Sequence, residues 1–126
     1  EASLRGAGKR QNAPARYRDV AARLADAGIA IWGSFVFGFD HDTPQTLVDT
    51  WDFLRSSDLD GISMTCLTPF PGTPLHRRLR KEGRLLADEY WDRCTLFDVN
   101  FKPLRMTVEQ LESGMRWLFG SSSRRR

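Results

Sequence analysis

Cysteine is scarce in this chain. Cys66 and Cys94 are the only two among 126 residues, and no Cys-x-x-Cys spacing occurs. A disulfide framework or a thiolate metal site within this chain therefore has no support, and two ordinary thiols of a cytoplasmic protein are expected. Long apolar runs are missing too: none approaches the roughly 20 residues that span a bilayer, and no signal peptide opens the sequence. Charge of one sign is also lacking. The net charge of +3 belongs entirely to Arg124, Arg125 and Arg126, which follow Ser121, Ser122 and Ser123 as a short solvated tail. The remaining body is electroneutral, so a sequence pI of 9.2 makes no case for nucleic-acid binding. Histidine is limited to His41 and His76, and neither internal repeats nor low-complexity tracts occur apart from that tail. With 40% hydrophobic and 28% charged residues, the composition is that of an ordinary folded protein.

What is present begins with two apolar runs that stop abruptly in loops of glycine, proline and small polar residues. They are Trp32 to Thr43 (WGSFVFGFDHDT) and Ile62 to Pro74 (ISMTCLTPFPGTP). A helical stretch from Pro44 to about Ser56 separates them. Strand, helix, strand predicts a parallel pair joined by a crossover, with both loops opening on one edge of the sheet. In α/β proteins that edge carries the ligand and the chemistry.

The flanking segments extend this α/β pattern. Pro14 suits a helix start. Tyr17, Val20, Ala21, Leu24 and Ala25 form one apolar face, and Gly28 suits the left-handed residue that ends the helix. A strand from about Ile29 to Phe37 reads as apolar on both faces, as if helices covered each side. Gly33 and Gly38 interrupt it and suggest a close approach of backbone or ligand. Thr43-Pro44 and Thr73-Pro74 are two helix starts. Leu47, Trp51 and Leu54 supply the buried stripe of the first, and Gly83 ends the second. The second strand is expected from about Gly61 to Leu67. Further on, Asp88 to Arg93 reads as a helical turn, and Phe97, Val99 and Phe101 alternate as a half-exposed strand stopped by Pro103. Thr107 and Gln110 form a capping box, Met106 and Leu111 a hydrophobic staple. Leu111, Met115, Leu118 and Phe119 make that helix's apolar face, which Gly120 closes.

Asp40, His41 and Asp42 are the densest polar cluster near the predicted edge, able to act as acid, base or metal ligands. The structural reading is that Asp42 favours the following helix N-terminus and Asp40 holds the turn. The Thr68 to Thr73 loop is stiffened by Pro69 and Pro71. It serves either as a rigid connector or as a surface against which a planar ligand lies. Cys66 and Cys94 read as small core residues, and His76, set among Arg77, Arg78, Arg80 and Lys81, as part of a solvated helix face. Lys9 and Arg10 are a basic pair placed to reach an anionic ligand.

Four segments together carry a resemblance: Ala2 to Asn12 (ASLRGAGKRQN), Trp32 to Thr43, Leu67 to Pro74 and Glu82 to Leu86 (EGRLL). Their order and spacing resemble the second half of radical S-adenosylmethionine enzymes, nearest the cobalamin-associated branch that includes hopanoid-modifying enzymes. The resemblance implies an α/β fold, the C-terminal part of a partial (β/α)6 TIM-like barrel over residues 1–83. A small, mostly helical C-terminal extension over 84–120 and a disordered Ser/Arg tail over 121–126 would follow. It implies that Val36 packs on the adenine of S-adenosylmethionine near Gly38, that Ser34 bonds the ribose, and that Lys9 or Arg10 pairs with the methionine carboxylate. Leu67 and Thr68 would offer backbone to the adenine edge. Complete enzymes of this kind use a [4Fe–4S] cluster, in this branch with cobalamin, to cleave S-adenosylmethionine and modify an unreactive carbon of a small-molecule or lipid-like substrate. The three-cysteine cluster motif is absent here. The chain, which opens on Glu1 with helix-like sequence close behind, is therefore expected to be a fragment, lacking an N-terminal half-barrel and inactive alone. Two alternatives remain: a non-catalytic accessory half-barrel, and a metal-dependent hydrolase built on Asp40, His41 and Asp42, with His41 as its catalytic candidate.

Overall fold

Local signals set most of the helix boundaries. The computed structural model describes residues 16–87 and 90–123. In chain order these form α1 (Tyr17–Asp26), β1 (Trp32–Phe37), α2 (Pro44–Arg55), β2 (Gly61–Cys66), α3 (Pro74–Lys81), a single 3-10 turn (Trp91–Arg93) and α4 (Val108–Ser122). Proline in the first turn opens α2 and α3, where its missing N–H would have been unpaired in any case. Thr107 and Gln110 form the predicted reciprocal cap of α4, at 3.1 and 2.9 Å. Gly28 and Gly83 sit just past α1 and α3 at positive φ, and the bonds Ile29 N to Leu24 O and Arg84 N to Leu79 O complete Schellman ends.

β1 and β2 pair in parallel, Trp32 opposite Gly61 through Phe37 opposite Cys66. One face carries Phe35, Phe37, Met64 and Cys66. The last three join Leu47, Leu54, Leu79, Val99, Phe101, Leu111, Met115 and Leu118 in a single hydrophobic cluster, and the partly buried Phe35 packs against it. At about 25 cal/mol per Å² of apolar surface removed from water, that cluster is the main stabilising term. The other face carries Trp32, Ser34, Val36, Gly61, Ser63 and Thr65. Trp32 is 70% exposed and Ser34 is also exposed. The expectation of helices over both faces is therefore corrected: among the described residues they bury one face only.

Other expectations shift as well. β1 begins at Trp32 rather than Ile29, because Asp60 takes the Ile31 N–H (2.7 Å) and draws the chain out of the ladder. The alternation at Phe97, Val99 and Phe101 is not a strand. Phe97 is 62% exposed, Val99 and Phe101 are buried, and the pairing there is one antiparallel bridge, Leu85 with Phe101. A turn in which the Thr95 hydroxyl accepts from the Phe97 and Asp98 amides, with Leu96 at φ 69, bends the segment instead. The turn expected from Asp88 to Arg93 is seen only over Trp91–Arg93, its first two residues lying outside the described ones. Gly120 does not close α4, which continues to Ser122; the expected start at Pro14 lies outside the described residues. No helix among the described residues is long and apolar enough to cross a membrane.

Candidate functional site

The Leu67 N–H donates to Phe37 O at 2.8 Å, one step beyond the last strand pair. Gly38 and Leu67 thus leave the sheet side by side, and the two loops share its carboxyl edge. Asp42 organises the first loop. It is buried, and its Oδ2 accepts from the Gly38 and Phe39 amides, each at 2.9 Å. Asp42, rather than the expected Asp40, therefore holds the turn. Asp40 instead ties this loop to the end of α3. Its carboxylate pairs with Arg78 and with Arg84 (3.0 Å), and Arg84 also bonds Glu82 Oε2 (2.8 Å) and Lys102 O (2.8 Å). Burial alone would raise the Asp40 pKa, but hydrogen bonds and charge from the two guanidinium groups outweigh it and hold the carboxyl below its ordinary value. His41 is exposed between them. Asp40, His41 and Asp42 do not converge on one point, and no group of three His, Cys, Asp or Glu among the described residues could hold a metal ion.

Gly38 has φ +106, a conformation that disfavours a side chain, and a Cβ placed there would lie 3.0 Å from Phe101 and 3.3 Å from Leu111. The close approach that this glycine permits is made by the chain's own C-terminal region. The second loop is as firmly held as its prolines suggest. Thr68 Oγ1 donates to Cys66 O (3.1 Å), Phe70 N to Thr68 O (3.0 Å), Thr73 Oγ1 to Phe70 O (2.7 Å) and Tyr90 Oη to Pro69 O (2.7 Å). His76 corrects the reading of a solvated face. It is 6% exposed, its ring lies 6.2 Å from that of Tyr90, and its Nε2 has no hydrogen-bond partner among the described residues. The arginines around it in sequence point elsewhere on a 3.6-residue turn, while His76 and Leu79, three apart, face inward.

Ser34 and Val36, two apart, project from the uncovered face toward the carboxyl edge. Their partners in register are Ser63 and Thr65, and the Ser63 hydroxyl donates to Ser34 Oγ at 3.2 Å. Small polar groups thus floor the face beside the two loops. Lys9 and Arg10 lie outside the described residues. Cys66 is buried in β2, where burial first, then the charges of Glu112 and Asp98, push its thiol up to about 12. Cys94 is half-buried rather than a core residue. Two cysteines, one of them resisting ionisation, do not fit the thiolate set of an iron–sulfur cluster.

Sequence reasoning missed Ser63, Thr65, Arg84 and Tyr90. The first two were findable, since a two-residue period on β2 sets them opposite Ser34 and Val36 once the register is guessed. Arg84 and Tyr90 carry no local signal, because their partners are 44 and 21 residues away.

No protein-family model matches the chain. It is 32% identical over 108 residues to bacteriochlorophyllide d C-12(1)-methyltransferase of Chlorobaculum tepidum, a match covering 86% of this chain and 23% of that protein. Hopanoid C-2 methylase of Rhodopseudomonas palustris is 33% identical over 66 residues, 52% of this chain and 12% of the methylase. Bacteriochlorophyllide d C-8(2)-methyltransferase of Chlorobaculum tepidum is 23% identical over 107 residues, 81% of this chain and 24% of that protein. The chain is thus similar to segments of methyltransferases, and its matches span from about an eighth to about a quarter of their length.

Proposed function

We propose that this chain is the C-terminal part of a partial (β/α)6 barrel from a radical S-adenosylmethionine methyltransferase of the cobalamin-associated kind, and that it supplies the adenosyl side of the cofactor site. The observation that carries this reading is the juxtaposition at the carboxyl edge. Ser34 and Val36 stand on the uncovered face of β1, and Leu67 and Thr68 leave β2 in register beside Gly38. The matched segments of three methyltransferases support it. In this reading Val36 packs on the adenine, Ser34 and its partner Ser63 offer hydroxyls to the ribose, and the stiff loop presents backbone to the base. Bound S-adenosylmethionine would supply the cleavable sulfonium bond; since that cleavage leaves the methyl group on methionine, a second S-adenosylmethionine would have to supply the methyl group. The residues present do not fit the [4Fe–4S] cluster, so its ligands belong to another part of the enzyme. The names of the relatives point to small-molecule substrates of the hopanoid or bacteriochlorophyllide type.

Calorimetric titration of the chain with S-adenosylmethionine tests the cofactor role. Binding should weaken on the order of ten-fold in Val36→Asp, which sets a charge where an apolar contact is required. Equal affinity of the two proteins, or no binding by either, sinks the assignment. Reconstitution of this chain alone with iron and sulfide should yield no 5′-deoxyadenosine. A non-catalytic accessory half-barrel is the second reading, favoured by the missing cysteine triad. It predicts that a complex carrying the cluster still forms no 5′-deoxyadenosine.

A further inference from the structure

Both loops at the carboxyl edge are fastened by one later stretch, residues 84–101. On the first loop, Arg84 meets Asp40 at 3.0 Å and the Phe101 ring packs on Gly38. On the second, the Tyr90 hydroxyl donates to Pro69 O at 2.7 Å, and Leu96 O accepts from Cys66 N at 2.6 Å. That last bond lies on the edge of β2 away from β1, since the next amide, Leu67 N, turns to Phe37 O and main-chain groups alternate along a strand. The stretch is itself closed at its ends. Arg84 O accepts from Lys102 N (2.7 Å) and Asn100 O from Leu86 N (3.0 Å), while the buried Asn100 side chain donates to Arg93 O (2.8 Å). A loop whose ends are joined in this way is a packed unit rather than a loose connection.

Tyr90 bears most directly on the adenine contact. Inside the second loop, Thr68 O accepts from Phe70 N (3.0 Å) and Phe70 O from Thr73 N (3.1 Å). The Pro69 carbonyl lies between these two and takes its hydrogen bond from 21 residues away. Proline fixes φ and leaves ψ free, and it is ψ of Pro69 that aims this carbonyl. The Tyr90 bond therefore settles the torsion that the ring does not. Pro69 is under 2% exposed, so without the phenol its carbonyl would be a buried acceptor lacking that donor. A displaced Pro69 would carry Thr68, its covalent neighbour, with it. Tyr90 is itself 3% exposed, with its ring beside that of His76. Burial, then the nearby Cys94, raise its pKa, so the hydroxyl keeps its proton and remains a donor.

We propose that Tyr90 is a positioning residue for adenine recognition: by holding the Pro69 carbonyl it presets the Thr68 backbone before the nucleoside arrives, as part of a brace made by residues 84–101. The adenine role rests on the cofactor reading; the brace rests on the hydrogen bonds themselves.

The test uses the full 126-residue chain. Tyr90→Phe deletes the hydroxyl and keeps the ring, and Trp91→Ala, at an exposed neighbour, is the control. Amide exchange reads the brace without ligand. Phe70 and Thr73 should exchange slowly in the wild type and on the order of ten-fold faster in Tyr90→Phe, with the amides of α4 unchanged. Titration with adenosine and inosine reads the adenine role, because inosine carries an oxo group and an N–H where adenosine carries an amino group and a bare ring nitrogen. The wild type should prefer adenosine on the order of ten-fold, and Tyr90→Phe should lose most of that preference. Trp91→Ala should match the wild type in both measurements. Fast exchange of Phe70 and Thr73 in the wild type, or unchanged rates in Tyr90→Phe, overturns the brace. An absent preference in the wild type, an unaltered one in Tyr90→Phe, or an equal loss in Trp91→Ala overturns the positioning role and leaves the cofactor reading standing. Adenosine that fails to bind the wild type removes the cofactor reading, and the adenine role with it.

Discussion

Helices α1 and α4 carry equally plain apolar stripes, yet they meet different fates. In α4, Leu111, Met115 and Leu118 are buried among Phe101, Leu47 and Leu54. In α1 no residue is buried, and Val20 is 41% exposed. The difference lies in what each stripe faces. Below α4 is a filled interior; beside α1 is the space along β1. An amphipathic pattern states that a helix has something to bury, not that a partner is in place. Among the described residues the molecule is consequently solid on its β2–α4 side and open on its α1–β1 side, where a cavity lies.

The largest expected effect falls on the solid side. Phe101→Ala should cost about 3–5 kcal/mol, read as a fall in the urea midpoint, because Phe101 is fully buried and packs on Gly38. A cost below that of an average surface change would break the comparison. Gly38→Ala comes next, at roughly 1–3 kcal/mol, since the new Cβ meets Phe101 while the backbone stays at φ +106. Its unfolding would place the origin of that strain in the loop rather than in the core.

A pH series sharpens the boundary between the two sides. The folded pKa of Asp40 lies below its ordinary value of 3.8, so its contribution to stability is present above that value and drains away as pH falls through the lower, folded one. Asp40→Asn should lose that acid-limb component and leave the pH profile flatter below about pH 4; an unchanged limb in the variant removes the Arg78–Asp40–Arg84 tie from the account. The smallest effect is expected on the open side. Leu24→Ala should cost under about 1 kcal/mol, because this leucine is only half-buried at the cavity wall. A loss equal to that of Phe101→Ala would show that the α1 side is as well packed as the α4 side.

Much of the fold was readable from local chemistry. Thr43-Pro44, Thr73-Pro74, the Thr107 and Gln110 box, Gly28 and Gly83 act within a few residues of themselves, so composition and spacing suffice to place them. The parallel pairing followed from strand–helix–strand order, and with it the meeting of Gly38 and Leu67. Where reading failed, the deciding partner was distant. His76 is inside because its face of α3 turns inward and the Tyr90 ring packs beside it, although its sequence neighbours are mostly basic. Phe97, Val99 and Phe101 alternate like a strand, but a Thr95 turn and the contact of Phe101 with Gly38 bend them out of one. Gly38 was read as room for a backbone or a ligand, and a phenyl ring from 63 positions later occupies that side of it.

By itself the sequence determined where α2, α3 and α4 start and where α1 and α3 stop, which strand follows which, and that two loops share an edge. Those outcomes depend on backbone torsions, missing N–H groups and residue period, all of them short-range. Only the tertiary structure decided which face of the sheet is covered among the described residues, and which carboxylate holds the loop and which meets the arginines. Each of those is settled by what arrives from far along the chain, and burial or ion pairing between distant residues leaves no local mark to read.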